Sequence, residues 1–389
     1  MAPQQPAVGE NIAIARKAQG YTQAALAHRA GISTSMMSEI EIGIRVASPA
    51  IVAAIAKALG TTTSSLYRGG VDPTGPYLGE VHLAVRGCDL PGDPTGITMA
   101  DLRARVTHAS DLRAATQYVE LVELLPSLIT DATAHAHAVD DPAAWSVMND
   151  ALGAAHATAY RLGHRDFAEI IAARQEWTAS RTWNPLAQAV AAGNNASVHQ
   201  AAGDYARAVA VVESAISRLS AADLDTPEAV IVRGTLHLRG VAMASLAEDA
   251  DTVAMHLRHA NNLAELMGDQ DRSAHNLVFG PGNAVLHALG AHVELDHPDE
   301  AIDLISTFVP GPGLTPTRIG HLHIDAARAH LALGDIDKAQ AELQKGEQAA
   351  PEMVSVHPMA REVARVLVSS HRRSRPDLID LAGRLGVAM

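Results

Sequence analysis

The first side chains able to do chemistry are the hydroxyls of Thr22 and Ser33. Each precedes a short run of helix formers, Gln23-Ala24-Ala25-Leu26-Ala27 and then Thr34 to about Ile42. Each can accept a hydrogen bond from a free amide of the helical turn that follows it. Gly31 stands where the chain must leave the first helix, a position that favours φ > 0. Ile32 can plug the gap between the two helices. A helix, a Gly-containing turn and a second capped helix make up the unit that lays polar side chains into the major groove of DNA.

Other reactive residue types are weaker pointers. Twenty histidines invite a metal reading, with His321-x-His323, His135-x-His137 and His256-x-x-His259 the closest groupings. An i, i+2 pair on a helix points to different faces, there is no HExxH, and no metal or other cofactor is expected. The single cysteine, Cys88, rules out an internal disulfide and a cysteine metal cluster, and fits a reduced cytoplasmic setting. No Walker A loop, GxGxxG after a strand, GxSxG or kinase set is present, so no enzymatic activity is expected. Asparagines are a different matter, because a carboxamide pairs with both the donors and the acceptors of a peptide backbone. Asn194, Asn195, Asn261, Asn262, Asn276 and Asn283 cluster in the middle of the chain. Asn283, in the Phe279-Gly280-Pro281-Gly282-Asn283 break, is the favoured ligand contact. The alternative is that these residues cap helices or are solvated.

The elements that must position these groups are helical. The chain has 389 residues, more than one ordinary domain, and is 48% hydrophobic with only 3% aromatics. That Ala-rich composition favours closely packed helices. No apolar run of about 18 residues exists, so no membrane span is expected. Met1 to Pro6 has neither a basic nor an apolar signal region. The net charge of −13 is unevenly spread, since the first 70 residues carry six Arg or Lys against three Glu. Phosphate attraction acts within roughly a Debye length of ~8–10 Å, so a small basic unit can hold DNA beside an acidic body. Residues 69–98 are dense in Gly and Pro and read as a connector, with a short strand around Glu80 to Val85. Beyond Met99, periodicity predicts helices over 110–130, 142–162, 165–181, 185–202, 205–220, 227–247, 251–268, 272–290, 298–308, 315–333, 336–348, 357–370 and 376–386.

Residues 8–68 resemble the lambda-repressor/Xre-like helix-turn-helix family. The resemblance is carried by Thr22-Gln23, Ala27, Ala30-Gly31-Ile32-Ser33, Ile40-Glu41, Gly43 with Arg45, and Leu59-Gly60. It implies five helices, with Ser33, Thr34, Ser35, Ser38 and Glu39 at the DNA-facing start of the second helix of the motif. Gln23 and Arg45 would meet phosphates, and Met36 or Met37 a thymine methyl. Many relatives carry Arg or Lys where this chain has Glu39 and Ile42. Glu39 either accepts from a cytosine amino group or is solvated or paired with a neighbouring cation.

The turns Gly203-Asp204-Tyr205-Ala206-Arg207-Ala208 and Gly334-Asp335-Ile336-Asp337-Lys338-Ala339 share a signature, with weaker versions at Asp249 to Ala254 and Asp296 to Ala301. Each closes one helix and places a small Ala early in the next, which resembles the tetratricopeptide repeat. Phe279 to Asn283, His321 to Ala329, Pro351-Glu352 and His357 to Val363 further resemble regulators that join an Xre-like reader to such repeats. The fold class expected is therefore all-α. A DNA-binding domain at 1–68 and a linker at 69–100 would precede an α-solenoid of helix pairs at 101–389. Such a chain would be a cytoplasmic homodimeric regulator. It would bind double-stranded DNA at a palindromic operator and answer a peptide or small-molecule effector. The resemblance to peptide-sensing regulators suggests Asn194, Asn195, Asn261, Asn276 and Asn283 as effector contacts. A protein-interaction adaptor is the alternative.

Overall fold

The computed structural model describes residues 8–61, 63–67, 75–93, 96–219, 226–371 and 376–387. Met1 to Pro6 and the first part of the expected linker, 69–74, lie outside them.

Five helices form the N-terminal unit: α1 (Val8–Ala18), α2 (Gln23–Ala30), α3 (Thr34–Glu41), α4 (Pro49–Leu59) and α5 (Thr63–Tyr67). Local chemistry fixes their ends. Thr22 accepts from the Ala25 amide, Ser33 from Met36 and Ser48 from Ile51. Gly31 and Gly60 take the left-handed conformation at φ 72° and 63°, which lets α2 and α4 stop without a Cβ penalty. Ile12, Leu26, Met37, Ile40, Val52 and Ile55 meet in one core, each worth roughly 1.5–3 kcal/mol on full burial. Gly9 is required where α1 crosses α3, since a Cβ there would run into the Ile40 carbonyl.

The expected strand at Glu80 to Val85 is instead part of helix α6 (Gly75–Arg86). Leu78, Val81, Val85 and Cys88 recur at helical spacing and bury against the core of the following helices. Their burial outweighs the Gly and Pro density that reads as a connector.

The body is a run of paired helices. In order these are α7 (Met99–Ala114), α8 (Tyr118–Val139), α9 (Pro142–Arg161), α10 (Arg165–Arg181), α11 (Pro185–Ala202), α12 (Tyr205–Arg218), α13 (Pro227–Leu246) and α14 (Ala250–Glu265). After a hairpin come α15 (Pro281–Glu294), α16 (Pro298–Thr307), α17 (Pro316–Ala332), α18 (Ile336–Ala349), α19 (Pro351–Val356), α20 (Pro358–His371) and α21 (Pro376–Arg384). Successive helices pack on one another through the array. At the turns that share the signature, the Asp204, Asp249 and Asp335 side chains cap the helices that follow. Ala208, Ala301 and Ala339 are buried at those turns, but Ala254 is exposed and Val253 takes its place in the contact.

Two further expectations fail. The helix over 110–130 is broken at Thr116, whose φ is 62°. The helix over 272–290 begins only at Pro281, because Arg272–Ala274 (β1) and Leu277–Phe279 (β2) form an antiparallel hairpin. His275 and Asn276 close it with φ 48° and 60°, the paired positive angles of a two-residue hairpin turn. Phe279 reaches α13 at Gly234, where any Cβ would strike its ring.

The array curls back on itself. Glu352 on α19 accepts from the Tyr118 and Val119 amides at 2.6 and 3.1 Å, capping α8 from across the molecule. Thr317 donates to the Arg113 and Ala114 carbonyls at the end of α7, both at 3.0 Å. The hairpin tip reaches α9, where Asn276 Nδ2 donates to the Asp150 carbonyl at 3.1 Å. These bonds join residues distant in sequence and frame a central cavity.

Candidate DNA-reading surface and central cavity

On α3, Thr34 and Ser35 are exposed and Ser38 and Glu39 half-exposed, so this edge presents short polar groups to solvent. Met37 is fully buried and Met36 only partly, which leaves Met36 as the methionine near the surface. Ser33 spends its hydroxyl as the α3 cap. Glu39 is engaged on both oxygens: Ser35 Oγ donates at 3.1 Å and Arg45 Nε at 3.0 Å. A cation expected to meet phosphate is thus held by a carboxylate on the same face. Gln23 turns toward the interior of the unit, its Nε2 donating to Glu41 at 2.8 Å. Arg16 clasps the same carboxylate through Nε and Nη2 at 2.6 and 2.8 Å. Burial alone would raise the Glu41 pKa, but these bonds outweigh it and hold the carboxyl below its ordinary range.

Two short helices at a Gly turn, with a capped second helix whose outer edge is polar, match the helix-turn-helix family model over residues 12–66. The N-terminal unit is a helix-turn-helix DNA-binding domain. Among curated proteins none matches the chain. Among solved structures, Bacillus thuringiensis PlcR in complex with the peptide PapR7 and DNA is similar at 14% identity and a TM-score of 0.28, covering 67% of this chain and 95% of that one. The PrgX/iCF10 complex is similar at 12% identity and a TM-score of 0.26, covering 89% and 96%.

The helix-turn-helix domain docks on the body in the same chain. Thr63 Oγ1 donates to the Ala201 carbonyl at the end of α11. Tyr205 donates to the Pro49 carbonyl at 3.2 Å. Gly203 lies so close to Ala53 that a Cβ would collide with it. Pro49, Thr63 and Tyr67 of the domain thereby become part of the wall of the central cavity, about 430 Å³ in volume. That size suits a small molecule or a short peptide.

Of the five asparagines, Asn194, Asn276 and Asn283 line this cavity. Asn283 is fully buried; its Nδ2 donates to the Val278 carbonyl at 2.6 Å, while Oδ1 has no partner among the described residues. Asn194 accepts from Arg239 and donates to Gln175, both at 2.8 Å. Asn195 donates instead to Glu176 at 2.7 Å, and Asn261 lies exposed on α14.

Sequence reasoning missed the arginines. Arg113, Arg161, Arg165, Arg239, Arg318 and Arg328 line the cavity, drawn from α7, α9, α10, α13 and α17. Burial, with other arginines beside them, pushes Arg113 and Arg239 down to about 10 and Arg318 to about 9. The imidazoles among them are kept neutral: His156, His287 and His357 fall to about 3 through burial and the arginines nearby. No spacing could have flagged these residues, since they come from five different helices and only the fold brings them together.

Of the histidine groupings noticed in the sequence, His256 and His259 both meet the ring of His237. His256 meets His237, Nδ1 to Nδ1 at 3.0 Å, and His323 pairs with Glu342 at 2.6 Å. His292, His297 and Glu300 bring three potential ligand atoms within 4.8 Å of one another at the α15–α16 turn, where His297 and Glu300 are exposed. Cys88 is buried, and that burial pushes its thiol up, away from reactivity. No helix among the described residues is long and apolar enough to cross a membrane.

Proposed function

We propose that this chain is a sequence-specific transcriptional regulator whose helical body senses an effector in the central cavity. The observation that carries the reading is the shared wall. Pro49, Thr63 and Tyr67 of the DNA-binding domain face the same cavity as Asn194, Asn276 and Asn283 of the body. A ligand that binds one arrangement of this wall better than another shifts the orientation of the domain by that difference in affinity. The buried Oδ1 of Asn283, unpartnered among the described residues, supplies a ready acceptor for such a ligand.

On the DNA side, Thr34, Ser35, Ser38 and Glu39 would stand at base edges, with Ser33 and Arg45 flanking them. Few cations serve this face, and one of them is tied to Glu39. A single domain would therefore bind weakly. Two copies on a two-fold operator, with half-sites about one helical turn apart, would supply the missing affinity.

The test is selection of duplex DNA from a random-sequence library by the full chain, with and without small-molecule extract of the producing cells. The expected result is one palindromic sequence, bound with a steep salt dependence, and a change in affinity on adding extract. Retention of no sequence above background at low salt refutes the regulator. Enrichment that extract never alters refutes the sensor.

A further inference from the structure

The charge inside the cavity is opposite to that of the whole protein. The chain carries a net −13. Among the described residues, the cavity wall holds six arginines against two carboxylates, Glu294 and Asp325. Both carboxylates are already claimed by one arginine: Arg328 Nη1 lies 2.7 Å from Glu294 and 3.1 Å from Asp325. Five guanidinium groups remain without a cavity-lining acid of their own among the described residues. Asp271 stands near Arg318, but its oxygens accept from the Gly282 and Asn283 amides at 3.1 and 2.9 Å.

Like charges gathered out of bulk water are costly to fold, and polar neighbours only partly relieve them here. Arg239 is held by the Gly193 carbonyl, Ser197 and Asn194, and Arg161 by His321. Arg165 lies over the Tyr160 ring, 3.5 Å from its centroid. Yet Arg113 Nε and Nη2 and Arg165 Nη1 are buried with no hydrogen-bond partner among the described residues. The neighbouring imidazoles add no cations, being held neutral. A guanidinium presents a planar fork of donors that fits carboxylate or phosphate oxygens two at a time.

We propose that the effector is a compact anion carrying at least two carboxylate or phosphate groups, gripped by Arg113, Arg161 and Arg318. This rests on the reading of the cavity as a sensor site. Such a ligand would supply the acceptors that the wall lacks and cancel the repulsion among the arginines. Asn283 and Asn276 would then orient its uncharged part.

The experiment measures thermal stability and binding heat of the full chain with four probes at matched ionic strength. These are inorganic diphosphate, a short peptide of Asp and Glu, a Ser and Asn peptide of equal length, and sodium chloride alone. One or both anionic probes should bind and raise the melting temperature, while the neutral peptide and the salt should not. Preference for diphosphate or for the acidic peptide then separates phosphate from carboxylate ligands. Arg113→Gln and Arg318→Gln should each weaken the anion roughly 10- to 100-fold, the loss of one charge-assisted contact. Arg207→Gln, on the exposed outer face, should leave binding unchanged.

A second readout does not depend on finding a ligand. Removing an unpartnered charge relieves repulsion, so ligand-free Arg113→Gln should melt at or above the wild-type temperature, whereas loss of a structural contact would lower it. Absence of binding by both anions overturns the proposal, and so does equal binding of the neutral peptide. Anion binding that the cavity variants do not weaken also overturns it. Operator affinity measured on the same samples separates the two readings. Anion binding without any effect on DNA would leave the anion site standing and remove the sensor.

Discussion

Replacing Glu39 by Gln isolates the charge problem of the DNA-facing helix. The carboxylate holds Arg45 at 3.0 Å, and the two side chains are 38% and 48% exposed. An exposed pair of this kind contributes at most about 1 kcal/mol to stability, so the variant should fold normally. Its effect on DNA should be larger. One negative charge leaves the surface that approaches phosphate, and Arg45 is released to make a phosphate contact. One more neutralised phosphate steepens the salt dependence by about 0.9 in log affinity per log salt, or roughly 8-fold tighter nonspecific binding at about 0.1 M salt relative to 1 M. Fluorescence anisotropy with an unrelated duplex, titrated from about 50 to 200 mM salt, reads both quantities. A slope equal to or shallower than wild type would refute the view that Glu39 restrains Arg45. Site selection adds a second reading. If Glu39 accepts from a cytosine amino group, the variant loses preference at one base pair of the operator, and an unchanged profile assigns Glu39 to charge control alone.

Glu41→Ala strips Arg16 of its carboxylate inside the DNA-binding domain, where the two side chains are 5% and 10% exposed. A loss of about 3–5 kcal/mol is expected, visible as local hydrogen exchange in α1 and α3; unchanged protection would contradict it. Because the folded domain holds the Glu41 carboxyl below its ordinary 4.5, this stability is present at neutral pH and drains away as pH falls below that value. Asp325 runs the other way. Burial raises it to about 6, so the folded state keeps its proton longer than the unfolded chain, and stability declines as pH rises from about 4 to 6. Asp325→Asn should remove that decline, on the order of 2–3 kcal/mol, in denaturation at stepped pH, and identical pH profiles would count against it. Gly234→Ala drives a methyl into the Phe279 ring and should cost about 1–3 kcal/mol in chemical denaturation; a neutral effect would mean that the hairpin has room to shift.

What the sequence disclosed tracks how local the determining physics is. Helix α10 runs over Arg165–Arg181 as its periodicity foretold, and α11 over Pro185–Ala202, where proline at the first turn and glycine after the last are short-range signals. The domain core was equally open to reading, Ile40 being buried and Ile32 packed beside it. The hairpin escaped notice because its turn, His275-Asn276, lacks the glycine that usually marks paired positive φ angles, and Leu277-Val278-Phe279 suits a helix as well as a strand. Helix α6 was hidden by glycines and prolines around a buried stripe. The cavity arginines were invisible for a different reason. In a helical sequence an arginine reads as solvated, and only the curl of the array sets five helices around one space.

Arrays of helix pairs ordinarily behave as one-dimensional stacks, in which each repeat feels only its neighbours and the ends fray first. The bonds from Glu352 to Tyr118 and Val119, with Thr317 on the end of α7, close that line into a loop. Between α8 and α19 no helix pair is terminal, and only α20 and α21 follow beyond the join. Opening the loop at any point exposes the same interior, so the early and late helices are tied to one cooperative transition even though more than 200 residues separate them. Cutting repeats from either end would not yield a shorter version of the body, as it would for an open stack. It would leave a different object, one without the central cavity.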